Sequence, residues 1–143
     1  MTREELERMA EGIVRLRSEI LRRRAGTGAG VELTSPQALA LRAVVREGPL
    51  RMGALAEALG VSVATASRTV GLLAARDLVQ REPDPEDARA VRVAATARGR
   101  REHERRRRRF VEALERLMGE LSDDERRQLA QSLETLNRLL VRP

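Results

Sequence analysis

Two sets of side chains in this sequence have the types and spacing to do chemistry. Asp87 and Arg89 stand two apart in REPDPEDARAVRV, residues 81–93. On an extended segment they project to the same side, where the carboxylate can orient the guanidinium through a charge-assisted bond. Ser62, Thr65, Ser67, Arg68 and Thr69, within VSVATASRTV, place four hydroxyls and one guanidinium inside two helical turns. Such groups bond to phosphate oxygens and to base edges. Each set also has a plainer reading: an exposed ion pair worth about 0–1 kcal/mol, and helix capping on ordinary solvated surface. For Ser62 capping holds in either case.

Catalytic chemistry finds little to work with. Cysteine and tyrosine are missing, the single histidine, His103, lies among arginines, and no phosphate-cradling glycine loop or nucleophile elbow occurs. The residues point away from an enzyme. Without cysteine a zinc site would need several carboxylates around His103, so neither a metal nor a cofactor is expected. The same absence rules out a disulfide scaffold and points to the cytoplasm. No apolar run approaches the roughly 18 residues of a membrane span, and the start TREELERMAEG is unlike a signal peptide, so no membrane association is expected.

The 143 residues carry a formal net charge of +6, and all 28 basic residues are arginine. A polyanionic partner fits this excess, but biased codon usage also produces an all-arginine set, so geometry has to decide. Hydrophobic residues make up 41% and aromatics 1%, which leaves Leu, Val, Ile and Ala to build the core between helices. The fold class expected is mostly α.

The elements that must position the two sets follow from pattern. Thr2 to Glu5 reads as a capping box, and Leu6, Met9, Ile13, Leu16 and Ile20 recur at three- and four-residue spacing, which predicts an amphipathic helix over 3–24. GTGAG, 26–30, turns the chain. LTSPQALALRAVVREGP starts a second helix with Thr34 as cap, Pro36 in the first turn and Gln37 reaching back; Leu39, Leu41, Val44 and Val45 supply its buried face and Gly48-Pro49 stops it. A short helix with Leu55, Ala56 and Leu59 breaks at Gly60, and a longer one opens at Ser62. This is the helix-turn-helix pattern. On the longer helix Val63, Ala66, Val70 and Leu73 should point inward, leaving Thr65, Ser67, Arg68 and Thr69 outside. Strands at 78–82 and 90–93 then make a hairpin, so that the loop with Asp87 and Arg89 becomes a wing.

Beyond Thr96 the chain reads as two helices divided near Leu121, the second opened by a capping box at Ser122. Phe110, Leu114, Leu117 and Leu121 form one apolar stripe; Leu129, Leu133, Leu136 and Leu140 form another. Seams of this kind at both ends of the chain suit an intertwined dimer. The arginine run 105–109 points around a full helix circumference and reads as solvated surface paired with Glu102, Glu104 and Glu112.

Order and residues together resemble the MarR family of bacterial transcription regulators. LTSPQALAL looks like the family's second-helix opening, LAEALGVSVATASRTVGLLAARDLVQR like its helix-turn-helix, and DARAVRVAATARG like its wing signature, with Asp87, Arg89, Thr96 and Gly99 at family spacing. The resemblance implies a winged helix-turn-helix core over 33–95, with helices 1–24 and 97–143 forming a dimerisation region of one domain, 1–143. It implies a homodimer on double-stranded DNA, recognition helix 62–76 in the major groove through Ser67 and Arg68, and Arg89 of the wing in the minor groove, held by Asp87. It also implies a small-molecule effector in a cleft between the dimer interface and the winged helices, ligand residues unknown. Two positions depart from the family pattern: Asp77, where glycine is usual, and Gly71 inside the recognition helix. The alternatives are a winged-helix dimer that binds DNA without sequence preference and one that serves as a protein-interaction scaffold; polar residues and arginines at the recognition positions weigh against the second.

Overall fold

The structure, a computed structural model, describes residues 1–25 and 30–140. Except for Gly30, the GTGAG turn lies outside the described residues. In chain order the elements are α1 (Arg3–Ala25), α2 (Ser35–Glu47), β1 (Leu50–Arg51), α3 (Met52–Leu59), α4 (Val63–Ala75), β2 (Val79–Pro83), β3 (Val91–Ala95), α5 (Ala97–Met118) and α6 (Asp123–Leu140). They fall into two compact units, residues 28–108 and residues 1–27 with 109–143.

In the first unit local chemistry sets the helix ends. Thr34 accepts from the Gln37 amide while the Gln37 side chain accepts from the Thr34 amide, the reciprocal capping box that the sequence encodes. Gly60, at φ 66°, closes α3 in the left-handed conformation, with its amide bonded to Glu57 O and the Val61 amide to Ala56 O. Asp77 does the same after α4 at φ 58°, and the Leu78 amide bonds back to Leu73 O. The family glycine is therefore replaced by a residue that tolerates this region better than most.

The core of this unit joins Ala40, Leu41 and Val44 of α2, Leu55 of α3, Val70 and Leu73 of α4, and Leu78, Val79, Val93 and Ala95 around the strands. Two expectations fail here. Leu39 is 54% exposed, because α2 turns Gln37, Ala40, Leu41 and Val44 inward and position 39 falls on the far side. Val63 is 55% exposed at the first turn of α4, whose buried face is Ala66, Thr69, Val70 and Leu73.

The sheet is antiparallel in the order β1-β3-β2. Sequence reading anticipated β2 and the central β3 but not β1, which pairs Leu50 with Val93 and Arg51 with Arg92. Two residues are too few to show alternation.

In the other unit Thr2 with Glu5 and Ser122 with Glu125 form the two expected capping boxes. Ile20 and Ala113 are the buried hydrophobic residues among those described there. Leu6, Met9, Ile13 and Leu16 on α1 and Leu133, Leu136, Leu139 and Leu140 on α6 remain exposed, and α6 buries no side chain. No single described helix is long and apolar enough to cross a membrane.

Candidate nucleic-acid interface

Helix α4 presents its polar residues from a fixed start. The Ser62 hydroxyl accepts from the Thr65 amide at 3.1 Å and donates to the Thr65 hydroxyl at 3.0 Å, which pins the first turn. With Ala66, Val70 and Leu73 fully buried, helical geometry turns Arg68 to the middle of the opposite, exposed face. Thr65 is exposed on one shoulder of that face and Ser67 half-buried on the other. Thr69 does not face outward as expected. It is buried, and its hydroxyl donates to Thr65 O at 3.1 Å, because position 69 lies between Ala66 and Leu73 on the packed face.

The hairpin that follows is held to α4 from the side. Arg81 of β2 donates through Nη2 to Ser67 O at 3.3 Å, and a methyl group at Gly71 would only touch that same nitrogen, at 3.9 Å. At the base of the hairpin the Thr96 amide bonds to Leu78 O, and the Thr96 hydroxyl donates to Asp77 O at 2.6 Å while its Oγ1 accepts from the Gly99 amide at 2.9 Å. Gly99 has no room for any side chain: a Cβ there would stand 1.9 Å from Leu78 O. The family spacing of Thr96 and Gly99 thus has a mechanical meaning, since together they seat α5 against the strand backbone.

The wing tip explains the acidic loop. Glu82 and Arg92, cross-strand partners, pair at 2.6 Å. Asp84 is nearly buried; one oxygen accepts from Arg51 Nε at 2.7 Å and the other from the amides of Glu86 and Asp87. The Arg51 guanidinium and those two amides hold the Asp84 carboxyl far below the usual carboxylate range. Asp87 accepts from the Arg89 amide at 3.0 Å, and the Arg89 guanidinium stands 3.6 Å from the same oxygen. Arg89 itself is 94% exposed. Three of the four carboxylates are engaged in shaping the loop, and one guanidinium is left projecting from it.

Residues 31–90 match the sequence profile of the MarR family. Over 103 residues, 72% of each chain, the sequence is 28% identical to the HTH-type transcriptional regulator YxaD of Bacillus subtilis (strain 168). A probable transcriptional regulator from Pseudomonas aeruginosa is 31% identical, covering 87% of this chain and 95% of its own with a TM-score of 0.63. The fold of a MarR family protein from Bacillus stearothermophilus covers 99% of both chains at a TM-score of 0.84 and 20% identity. The chain belongs to the MarR family. As a MarR-family member it is a winged helix-turn-helix transcription regulator of the DNA-binding class.

Sequence reading of this MarR-family chain missed Arg51 and Arg81. Arg51 lies 33 positions from its partner Asp84, and only the sheet order brings them together. Arg81 could have been found, because alternation along β2 puts it on the same face as the buried Val79. The arginine run is paired in part as expected, with Arg105 against Glu102 at 3.3 Å and Arg107 against Glu104 at 3.7 Å. Gly30, Val31, Arg98, Arg101, Glu102 and Arg105 line a cleft of about 350 Å³. Glu102 is 2% exposed and its Oε1 has no hydrogen-bond partner. No three histidine, aspartate or glutamate side chains come together to hold a metal among the described residues.

Proposed function

We propose that this protein is a sequence-specific transcription regulator that binds an inverted-repeat operator as a homodimer and represses by covering a promoter. In this reading 1–143 is one functional domain: 33–95 is its DNA-binding core, and helices 1–24 and 97–143 pair two copies. It works in the cytoplasm and without catalysis. Recognition helix 62–76 enters the major groove, with Arg68 on base edges and Ser62, Thr65 and Ser67 beside phosphates. Wing 81–93 reaches the minor groove. Thr69 is left out of the contact set, because it is packed inward.

The observation that carries this reading is Arg89, 94% exposed at the end of a loop in which three of the four carboxylates are engaged elsewhere or hold its own backbone. A narrow minor groove concentrates negative potential and favours one well-aimed guanidinium, so a loop of low net charge is no obstacle. Pairing of two copies rests on the exposed apolar faces of α1 and α6, which water would otherwise cover. Release by an anionic small molecule rests on the arginines of the cleft at the start of α5.

Selection from a random double-stranded DNA pool at near-physiological salt tests the reading. The winner is then compared with scrambled DNA for the native protein, Arg68→Ala and Arg89→Ala. Half-sites about one helical turn apart, with affinity lost in both variants, are the expected result. Binding without an enriched motif would make the protein an architectural binder, and no binding at all would make it a scaffold.

A further inference from the structure

The wing is supported along only part of its length. β1 meets β3 at Val93 and Arg92 and goes no further, whereas β2 and β3 continue to the Pro83–Val91 pair and then to the loop. The outer half of the hairpin therefore has no third strand beside it. Its loop is closed by two backbone bonds, Asp84 N to Ala90 O at 3.0 Å and Ala90 N to Asp87 O at 2.9 Å. Two-stranded ribbons twist and bend more readily than wider sheets.

One side chain spans that gap. Arg51, at the end of β1, reaches past the last strand pair and donates to Asp84 Oδ2, while Asp84 Oδ1 gathers the amides of Glu86 and Asp87. Asp87 in turn holds the Arg89 amide. An unbroken series of bonds thus runs from β1 to the backbone of Arg89.

We infer that Arg51 and Asp84 are positioning residues: their ion pair ties the wing tip to the helix-turn-helix and aims Arg89 before DNA arrives. The inference rests on the proposed role of Arg89 in DNA binding and adds the tie that makes this role effective. A wing free to bend has to be ordered in the complex, and that ordering subtracts from affinity; a wing tied in the free protein has already lost that freedom. The tie suits the task because both carboxylate oxygens are satisfied and the acid is 9% exposed. Arg51 stays half-exposed, so a separate use of it on phosphate is the rival to exclude.

Asp84→Asn keeps an oxygen for the two loop amides and removes the charge opposite Arg51. Arg51→Gln removes the other partner. The probe is a labelled duplex carrying the operator selected from the random pool, or random duplex DNA if none is enriched. Each single variant is expected to weaken binding about two- to tenfold, and to speed amide exchange at residues 86–89 of the free protein with little change in melting temperature. In the Arg89→Ala background neither substitution should weaken binding further, which is the mark of action through Arg89. Equal additional losses in that background would overturn the inference. So would a loss confined to Arg51→Gln with a salt slope shallower by about one per contact removed, since Arg51 would then be a phosphate contact in its own right. Unchanged amide exchange would overturn it without touching the role of Arg89, whereas native affinity in Arg89→Ala would remove that role and the inference with it.

Discussion

Gly99→Ala puts the seating of α5 to a direct test. The added Cβ would stand 1.9 Å from Leu78 O, 2.9 Å from Leu78 C and 3.3 Å from Leu41 Cδ1. Carbon rests about 3.5–4.0 Å from its neighbours, so the start of α5 has to lift off the strand by more than about 1 Å. Leu78 O is also the acceptor for the Thr96 amide, and Thr96 links Asp77 O to the Gly99 amide. Lifting therefore strains two or three hydrogen bonds, each worth about 1 kcal/mol net, on top of about 1–3 kcal/mol for overpacking. The expected loss is about 3–6 kcal/mol, a large share of an ordinary domain's stability. Gly71→Ala is the internal control, because its Cβ meets only Arg81 Nη2 at 3.9 Å in a helix interior. It should raise stability by about 0.5–1 kcal/mol. Urea unfolding followed by far-ultraviolet circular dichroism at one fixed protein concentration reads both. If Gly99→Ala unfolds within 1 kcal/mol of the native protein, the close approach of α5 to Leu78 is not what the structure describes and the argument fails.

Three further outcomes are expected. His103 is shifted below its ordinary value, first by burial and then by the Arg42 charge, with Arg46 and Arg107 adding and Glu104 opposing. A lowered folded value means that its contribution is complete above about pH 6.5 and declines as pH falls through the folded value. His103→Gln should accordingly flatten the stability change between pH 7.5 and 5, and an unaltered slope would count against it. Leu133→Glu with Leu136→Glu puts charge on the exposed apolar face of α6 and should yield a monomer by light scattering after gel filtration, with operator affinity lost. A dimer that persists would mean that this face pairs nothing. In the cleft at the start of α5, small carboxylates should raise the melting temperature of the native protein and not of Arg98→Ala; stabilisation by neutral polar compounds alone would contradict an anionic effector.

Local chemistry accounts for what could be read in advance. The three capping boxes, at Thr2, Thr34 and Ser122, each form within four residues of chain, so their partners are visible in sequence. The left-handed turn at Asp77 and the break at Gly60 are likewise local. Faces were harder. On α4 the assignment of Val63 inward and Thr69 outward reversed, because the two positions flank the stripe of Ala66, Val70 and Leu73 on opposite edges and hydrophobicity favours the wrong edge. What settles it is packing: Val63 is in the first turn, while Thr69 can bury its methyl and satisfy its hydroxyl on Thr65 O. The strand β1 and the Arg51–Asp84 pair depend on sheet order, which two residues of sequence do not announce.

That pair changes how the charge of the wing should be counted. Residues 81–93 contain one more carboxylate than guanidinium, which in a chain of net charge +6 looks like a loop built to avoid DNA. Pairing reverses that impression. Asp84 neutralises an arginine from outside the loop, Glu82 neutralises Arg92, and Asp87 gives its stronger bond to the Arg89 backbone. The same three acids that lower the net charge also set the curvature of the loop and the place of its tip. Replacing them with arginines would increase attraction at long range while releasing the tip, and a loose cation is held by phosphate as readily as by a groove floor. If the wing enters the minor groove as proposed, its sequence preference depends on those acids being there.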